Sequence, residues 1–557
     1  MTGRFGVLAA VVRSTVLRRL ELAYLAFAFG EWSTWVAIIV YAYGRGGAAE
    51  AGIVVFIELA PSVVLAPAVS ALGDRFPRDR VLLVTYAAQS AVMAATAVAL
   101  AGGAAPVVVY PLAIVSATLV SLSRPLHSAL MPEVVDSPDD LTAANVVSGM
   151  VESAGTLIGP LGAGLLIGLG GPAVVFAVAA TADLLGCLAV VSAVRRRRAL
   201  PLTGRATAEP ATPRPERLRS ALAELAGGIH AVLADARLRS VVLIATWATL
   251  LVGVMDVLYA VLAIDLLGLS GEGVGFVGAV GGFGAIVGSV AGLGLVGRER
   301  LGAVLAASAI LYGVSIATIA VASGPALAAG LLVLAGIGLG LTYVGAQTLI
   351  HRLAGDDVMS RVFGLLQGLM MGASAVGGLA VPIVIGLVGN RAVFAVAGLS
   401  LPIVLALVGW TIIRGDRLDA DRVVELRLLR AIPMLSPLSG PVLERLAAGL
   451  ARTTVEAATV VVREGETGER FYVVATGALM VTVAGRPMRT LGPGDAFGEI
   501  ALLRDVPRTA TVTALEDAVL LGIDRAPFLE ALGGQVRSRA IATGLADERL
   551  AADLAGS

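Results

Sequence analysis

Apolar residues fall along this chain in long unbroken runs rather than in stripes or alternations. From about Leu20 to Ile413 there are about twelve such stretches, each near the ~20 residues a helix needs to cross a bilayer. They lie near Leu20–Tyr43, Gly52–Ala71, Arg80–Ala101, Pro106–Ser123, Ala143–Leu166, Pro172–Val194, Val241–Leu266, Gly273–Val296, Leu301–Ala322, Ala326–Leu349, Val362–Val388 and Val393–Ile413. After Arg414 the pattern changes. Leu426 to Pro437 reads as a short amphipathic helix and turn, and from Thr453 come the short β-rich runs TTVEAATVVV, FYVVATG, LMVTVAG and TATVTA. Turn signals at Gly465, Gly468, Gly485 and Pro493–Gly494 separate those runs, and helical sequence follows from about Ala526.

The expected fold is therefore a polytopic α-helical membrane protein of two six-helix halves, followed by a small β-roll domain with flanking helices. Residues 1–194 form the first half and 238–414 the second. Between them, 195–237 is an interhalf loop and helix opening on Arg195–Arg198 and rich in proline. A connecting helix at 415–430 leads to the β domain at 431–557. Two copies of VFAVA, at Val175–Ala179 and Val393–Ala397, each open the last span of a half. With the central polar loop, they support a parallel repeat. Arginines cluster in alternate connections: Arg75, Arg78 and Arg80, then Arg195–Arg198, Arg298 and Arg300, and Arg414 and Arg417. The tendency of basic loops to stay inside puts both termini and the C-terminal domain in the cytoplasm.

Composition sharpens this reading. The 557 residues are 57% hydrophobic and 15% charged, with a mean hydropathy of +0.89. That excludes a single soluble core, a disordered chain and a disulfide scaffold. Formal net charge is zero, so no global field points to nucleic acid. The one cysteine, Cys187, can form no internal disulfide, and His127, His230 and His351 are too scattered to suggest a metal site. Lysine is absent, which reads as compositional bias. No cleavable signal peptide is expected.

Three signatures carry chemistry. The first is Ser70-Ala-Leu-Gly-Asp74-Arg75-Phe-Pro-Arg78-Asp-Arg80, between the second and third spans. Asp74 can cap a helix N-terminus and pair with arginine, a latch that holds one conformation closed. The second is Gly155-TLI-Gly159-Pro160-Leu-Gly162-Ala163-Gly164 in the fifth span. Small residues at this spacing let helices approach closely, and Pro160 bends the helix.

The first segment resembles the GxLaDRxGRK loop motif of the major facilitator superfamily, with Ser70 and Pro77 where that pattern has glycine. The second resembles the superfamily's exporter motif GxxxGPxxGG, with Ala163 in place of one glycine. Gly30-Glu31-Trp32, Arg124-Pro125, Ala129-Leu-Met-Pro132 and Ala143-Ala144-Asn145 are similar to the siderophore- and macrolide-exporter branch. The resemblance covers about residues 15–413. It implies a transporter, with export favoured over uptake.

Ionisable residues inside spans are costly and mark function. Glu31 is the first candidate for proton coupling or contact with a cationic substrate, followed by Glu58, Asp183 and Asp256, with Arg124 as a structural partner. Asp256 gains weight because the first and seventh spans are equivalent in the repeat.

The third signature is Phe497-Gly498-Glu499-Ile500-Ala501-Leu502-Leu503, then Arg504-Asp-Val-Pro507-Arg508-Thr509-Ala510. A turn opening a helix offers free backbone N–H groups to an anion, and Arg508 adds a planar, permanent charge. This segment resembles the phosphate-binding cassette of cyclic-nucleotide-binding domains. The resemblance spans about 427–532 and implies a cyclic-nucleotide site at Phe497, Gly498, Glu499, Ile500, Ala501, Arg508, Thr509 and Ala510. There Arg508 would hold the cyclic phosphate and Glu499 the ribose 2′-hydroxyl. Cyclic AMP is slightly favoured over cyclic GMP, and Thr509 leaves the choice open. A lid over the base would come from Val536–Leu550.

Together these imply a proton-coupled exporter of a small amphipathic molecule in a bacterial inner membrane. Cyclic nucleotide would be its regulatory ligand, with no other cofactor and no metal. The segment Gly415–Leu429 would carry the coupling. The partners expected are substrate, nucleotide and lipid bilayer, not nucleic acid, and a dimer through the C-terminal domain is one open arrangement. A lipid or lysolipid transporter of the same fold and a non-transporting nucleotide sensor are the alternatives. A gated channel would need a selectivity filter and an arginine-striped helix, and an enzyme would need a nucleophile–base pair; neither pattern is present.

Overall fold

Long apolar runs become helices because a bilayer offers backbone groups no water to bond. In the computed structural model, which describes residues 14–75, 77–134, 138–198, 226–292, 294, 301–354, 358–418, 420–438, 440–533, 538, 541–545 and 547, ten helices are long and apolar enough to span a membrane. They are α1 (Thr15–Arg75), α2 (Arg78–Ala101), α3 (Pro106–Val134), α4 (Pro138–Gly170), α5 (Pro172–Arg198), α6 (Ala236–Ala260), α7 (Gly271–Gly292), α8 (Leu301–Ile319), α9 (Pro325–Leu353) and α10 (Met359–Leu418).

Two of them are double. The 61-residue α1 leaves helical geometry at Gly46 and Gly47, and the 60-residue α10 does so at Gly389. Gly47 has φ +61° and Gly389 φ +84°, backbone that a side chain would disfavour. The first two and the last two apolar stretches occupy these broken helices. A π-helical turn, Val261–Leu266, extends α6, and a short helix at 226–234 precedes it.

Glycine lets the spans meet backbone to backbone. A Cβ on Gly275 of α7 would lie 2.5 Å from the amide nitrogen of Gly164 in α4, and one on Gly282 would lie 2.5 Å from the carbonyl of Thr156. On its other side α7 meets α9, whose Gly336 and Gly340 face Gly281 and Ala285. Phe176 and Phe394, the phenylalanines of the two VFAVA copies, are both buried. The main core cluster draws on both halves, and a second one belongs to the first half alone, around Tyr24, Phe27, Tyr86 and Met131.

From Arg414 onward the chain forms a separate compact unit. It contains α11 (Ala420–Ala431), α12 (Gly440–Ala448), β1 (Ala451–Val455), β2 (Val460–Val462), β3 (Arg470–Thr476), β4 (Leu479–Val483), β5 (Arg486–Leu491), β6 (Ala496–Phe497), α13 (Glu499–Arg504), β7 (Thr511–Ala514), β8 (Ala518–Asp524) and α14 (Arg525–Gly533). Two four-stranded antiparallel sheets, ordered β1-β8-β3-β6 and β2-β7-β4-β5, enclose a core of Val474, Leu479, Val481, Leu491 and Leu520. The outer face of β3 packs on the helices, with Phe471 stacked on Phe528 of α14 at 4.5 Å and Leu429 of α11 in the same cluster.

The run TTVEAATVVV is not one strand. It turns at 456–459, where Ala458 takes φ +66°, so β1 joins one sheet and β2 the other. The helix and turn expected over Leu426–Pro437 are both present, with the helix starting earlier, at Ala420, and ending at Ala431 before the turn.

Candidate functional site

In the C-terminal unit, β6 ends at Phe497 and Gly498, with a φ of +91°, caps α13. A Cβ there would lie 2.5 Å from Nη1 of Arg508, so the position takes only glycine. The backbone of Arg508 is pinned to the 465–466 turn: its N–H donates to the Glu466 carbonyl at 2.8 Å, and its carbonyl accepts from Gly465 at 2.8 Å. Arg508 is 7% exposed as a whole residue, and its guanidinium donates through Nη1 to the Gly498 carbonyl at 2.9 Å and through Nη2 to the Arg470 carbonyl at 2.7 Å.

Burial pulls the Arg508 pKa down from its ordinary value, and the charges of Tyr472, Glu499, Glu466 and Glu469 act against that. Gly468 closes the cradle, because a Cβ there would sit 2.7 Å from Ala501 Cβ and 2.9 Å from Arg508 Cζ. All eight residues expected at the site, Phe497 to Ala501 and Arg508 to Ala510, line one cavity of about 50 Å³. Glu499 is 1% exposed within it.

The structure adds Arg489 to the wall. The β5 sequence RPMRTL is exposed at its first five positions, so no alternation marked it as a strand. A guanidinium with donors to spare, set beside the start of α13, can grip an anion. A buried carboxylate beside it can accept from a hydroxyl.

In the membrane unit a cavity of about 440 Å³ opens among α1, α4, α6, α7, α8 and α9. Trp32, Trp35, Val36 and Ile39 of α1 line it, and so do Val252, Met255, Asp256 and Tyr259 of α6. In both helices these residues recur at i, i+3, i+4 and i+7, one face of an α-helix. Tyr312, Tyr343 and Glu152 also belong to its polar and aromatic lining.

Arg124 of α3 stands behind this wall. Its Nη2 donates to both oxygens of Glu31, at 2.9 and 2.8 Å, and its Nη1 lies 2.9 Å from Glu152 Oε1. Of the five residues expected to serve transport, Glu31 and Arg124 are thus brought together and Asp256 faces the cavity. Asp183 is buried against Gly30. Glu58 is also buried, in the second part of α1, and does not line the cavity. Glu152 was not singled out from sequence; the only signal was one carboxylate in an apolar stretch.

Residues 20–377 match the sequence model of the Major Facilitator Superfamily. The chain belongs to that superfamily. Residues 452–534 match the cyclic nucleotide-binding domain model, so this superfamily member carries a domain of that kind.

Among curated relatives, a cAMP-dependent protein kinase regulatory subunit of Yarrowia lipolytica is 41% identical over 107 residues, 19% of this chain and 28% of that protein. An uncharacterized protein of Mycobacterium tuberculosis is 37% identical over 127 residues, 23% of each chain. A cyclic nucleotide-gated potassium channel of Mesorhizobium japonicum is 39% identical over 108 residues, 19% of this chain and 30% of that protein. The matched stretch spans under a third of the length of each relative.

Within the superfamily loop motif, the side chains of Asp74 and Arg75 lie outside the described residues. Arg78 Nη1 donates to the Ala129 carbonyl at 2.9 Å and ties α2 to α3. In the exporter-type motif a Cβ on Gly155 would stand 2.8 Å from Ala28 Cβ, and one on Gly159 would collide with Trp32. Pro160 lines the cavity. The expected lid, Val536–Leu550, falls mostly outside the described residues.

Proposed function

We propose that this superfamily member is a proton-coupled exporter of a small amphipathic molecule whose flux is set by cyclic nucleotide, cyclic AMP in preference to cyclic GMP. The arrangement of Arg508 carries the regulatory half of this reading. It is a buried guanidinium pinned by its backbone, walled by two glycines that leave it room, and set beside a buried Glu499. Such a cradle suits one cyclic phosphate and one ribose hydroxyl. The name of the Yarrowia relative, a cAMP-dependent regulatory subunit, supports the preference for cyclic AMP.

The transport half draws on the cavity. Its aromatic and aliphatic walls favour an apolar body, and Asp256 and Glu152 favour a basic or hydrogen-bond-donating group. The exporter-type motif on α4 favours efflux. Arginine placement favours both termini and the C-terminal domain in the cytoplasm, and the reading seats the chain in a bacterial plasma membrane. Leu429 of α11 packs in the C-terminal unit's own core, and α11 follows α10 directly in the chain. A coupling of about 1–3 kcal/mol would shift the transport cycle several-fold.

The test is flux in proteoliposomes under an imposed pH gradient, with cyclic AMP, cyclic GMP or neither, after a substrate screen. Flux that responds to the gradient and to cyclic AMP supports the reading. Flux indifferent to both, in protein that binds nucleotide, defeats it.

A further inference from the structure

Asp183, in the middle of α5, is 1% exposed, and among the described residues neither of its carboxylate oxygens has a hydrogen-bond partner. Two more unpartnered polar groups lie level with it on α2. Gln89 is 0% exposed with both amide atoms unpaired, and the hydroxyl of buried Tyr86 is unpaired as well. The level is fixed by two links between these antiparallel helices. Ser90 Oγ donates to the Ala180 carbonyl at 2.7 Å, and Cys187 Sγ donates to the Leu83 carbonyl at 3.7 Å.

The first part of α1 closes the third side. Phe27 stacks on Tyr86 at 5.6 Å, and Gly30 faces the carboxylate so closely that a Cβ would lie 3.2 Å from Asp183 Oδ1. A buried carboxylate without a counter-charge or donor is among the costliest groups a membrane interior can hold. Among the described residues, the surroundings do not supply the missing charge. Glu21, Tyr24 and Glu31 on α1, Tyr86 on α2, Glu152 on α4 and Cys187 on α5 are all acidic or neutral. The nearby cation, Arg124, is shared between Glu31 and Glu152, and His127 of α3 stacks on Tyr24.

We infer that Asp183, Gln89 and Tyr86 form a binding site for one small monovalent cation, H⁺ or Na⁺, held between α1, α2 and α5 apart from the substrate cavity. Carboxylate, amide and hydroxyl oxygens are hard donors suited to such an ion. A single carboxylate is too few for the divalent ions, which gather more oxygen ligands and charge. None of the three residues lines the 440 Å³ cavity, yet Gly30 is two positions from Trp32, which does. Occupancy can therefore bias the first span where it meets substrate. This gives the coupling ion of the proposed exporter a seat, and its role rests on that reading; the binding itself does not.

The experiment uses the purified full chain in detergent, with no substrate or nucleotide, and follows thermal unfolding. NaCl is compared with choline chloride at equal ionic strength, from pH 5.5 to 8.5. With sodium as occupant, Tm rises with NaCl at fixed pH. With a proton as occupant, Tm in choline rises as pH falls, because a site protonated only in the folded state loses its stabilising effect as pH rises. In either case Asp183→Asn removes the increment. Tyr86→Phe, which keeps the ring on Phe27, moves its midpoint by roughly tenfold in cation concentration. A wild-type Tm unmoved by both cations, or an increment kept in full by both variants, overturns the site. Neither result depends on flux, so failure here is distinct from failure of the exporter reading.

Discussion

One nitrogen of Arg124 serves both carboxylate oxygens of Glu31, at 2.9 and 2.8 Å. The other terminal nitrogen reaches Glu152 on a different helix at 2.9 Å. Three helices, α1, α3 and α4, are thus joined by one guanidinium, and Glu152 extends the network to the cavity wall. On the proposed reading, a cationic group entering the cavity beside Glu152 competes with Arg124 for that carboxylate.

Arg124→Ala leaves two carboxylates facing each other without their cation. Breaking a buried pair this way costs ~3–5 kcal/mol. The side chains of Arg124, Glu31 and Glu152 are 34%, 19% and 46% exposed, which places the loss below that range. Thermal unfolding in detergent should show it, and adding Glu31→Gln should restore part of the stability. An Arg124→Ala protein as stable as wild type would remove the network from the argument.

Arg508→Ala should weaken cyclic AMP binding to the full chain by roughly 30–150-fold, the equivalent of about 2–3 kcal/mol in charge-assisted hydrogen bonds. Arg508→Lys should recover little, since a point charge cannot bridge the same oxygens. Gly498→Ala should also lose binding, because its Cβ would meet the guanidinium at 2.5 Å. Calorimetric titration decides all three. Unchanged affinity in Arg508→Ala means the phosphate is held elsewhere.

Much of this architecture could be read from the chain because its signals are local. Apolar length fixed the spans, and glycine with arginine fixed the nucleotide segment, where all eight residues converge on one cavity. What escaped depends on contacts distant in sequence. Glu152 looks like an incidental carboxylate until Arg124 is seen 2.9 Å away. Arg489 sits on a strand whose exposed first five residues carry no alternation. The split of β1 from β2 required a turn at Ala458, a residue with no turn preference, held there by backbone bonds to Ala514.

Gly159→Val should drive α4 from the first span, since even a Cβ collides with Trp32. Overpacking of this kind costs about 1–3 kcal/mol, and displacing Trp32 reshapes the cavity, so flux should fall by more than stability alone explains. Gly149→Ala is the control in the same helix: nothing lies within 4 Å of a Cβ there. Equal flux in the two variants would separate the glycine face from transport.

At the ends of the spans Tyr43 Oη donates to Asp265 Oδ2 at 2.7 Å, and Asn390 Nδ2 donates to the same oxygen at 2.7 Å. Tyr43 belongs to the first half of the repeat, while Asp265, in the π-helical turn, and Asn390 belong to the second. This clasp therefore opposes separation of the halves. A hydrogen bond to a charged group is worth about 1.5–3 kcal/mol, so Tyr43→Phe should raise the population with this end parted by about tenfold or more. The single native cysteine, Cys187, is buried, which simplifies the measurement. In a Cys187→Ser background, a cysteine at Ile39 in the cavity wall should react faster with a membrane-impermeant maleimide when Tyr43 is Phe. Asp265→Asn should act in the same direction, because it replaces the shared charged acceptor with a neutral amide. Labelling rates that do not differ from those with Tyr43 intact would mean that the clasp does not gate this end.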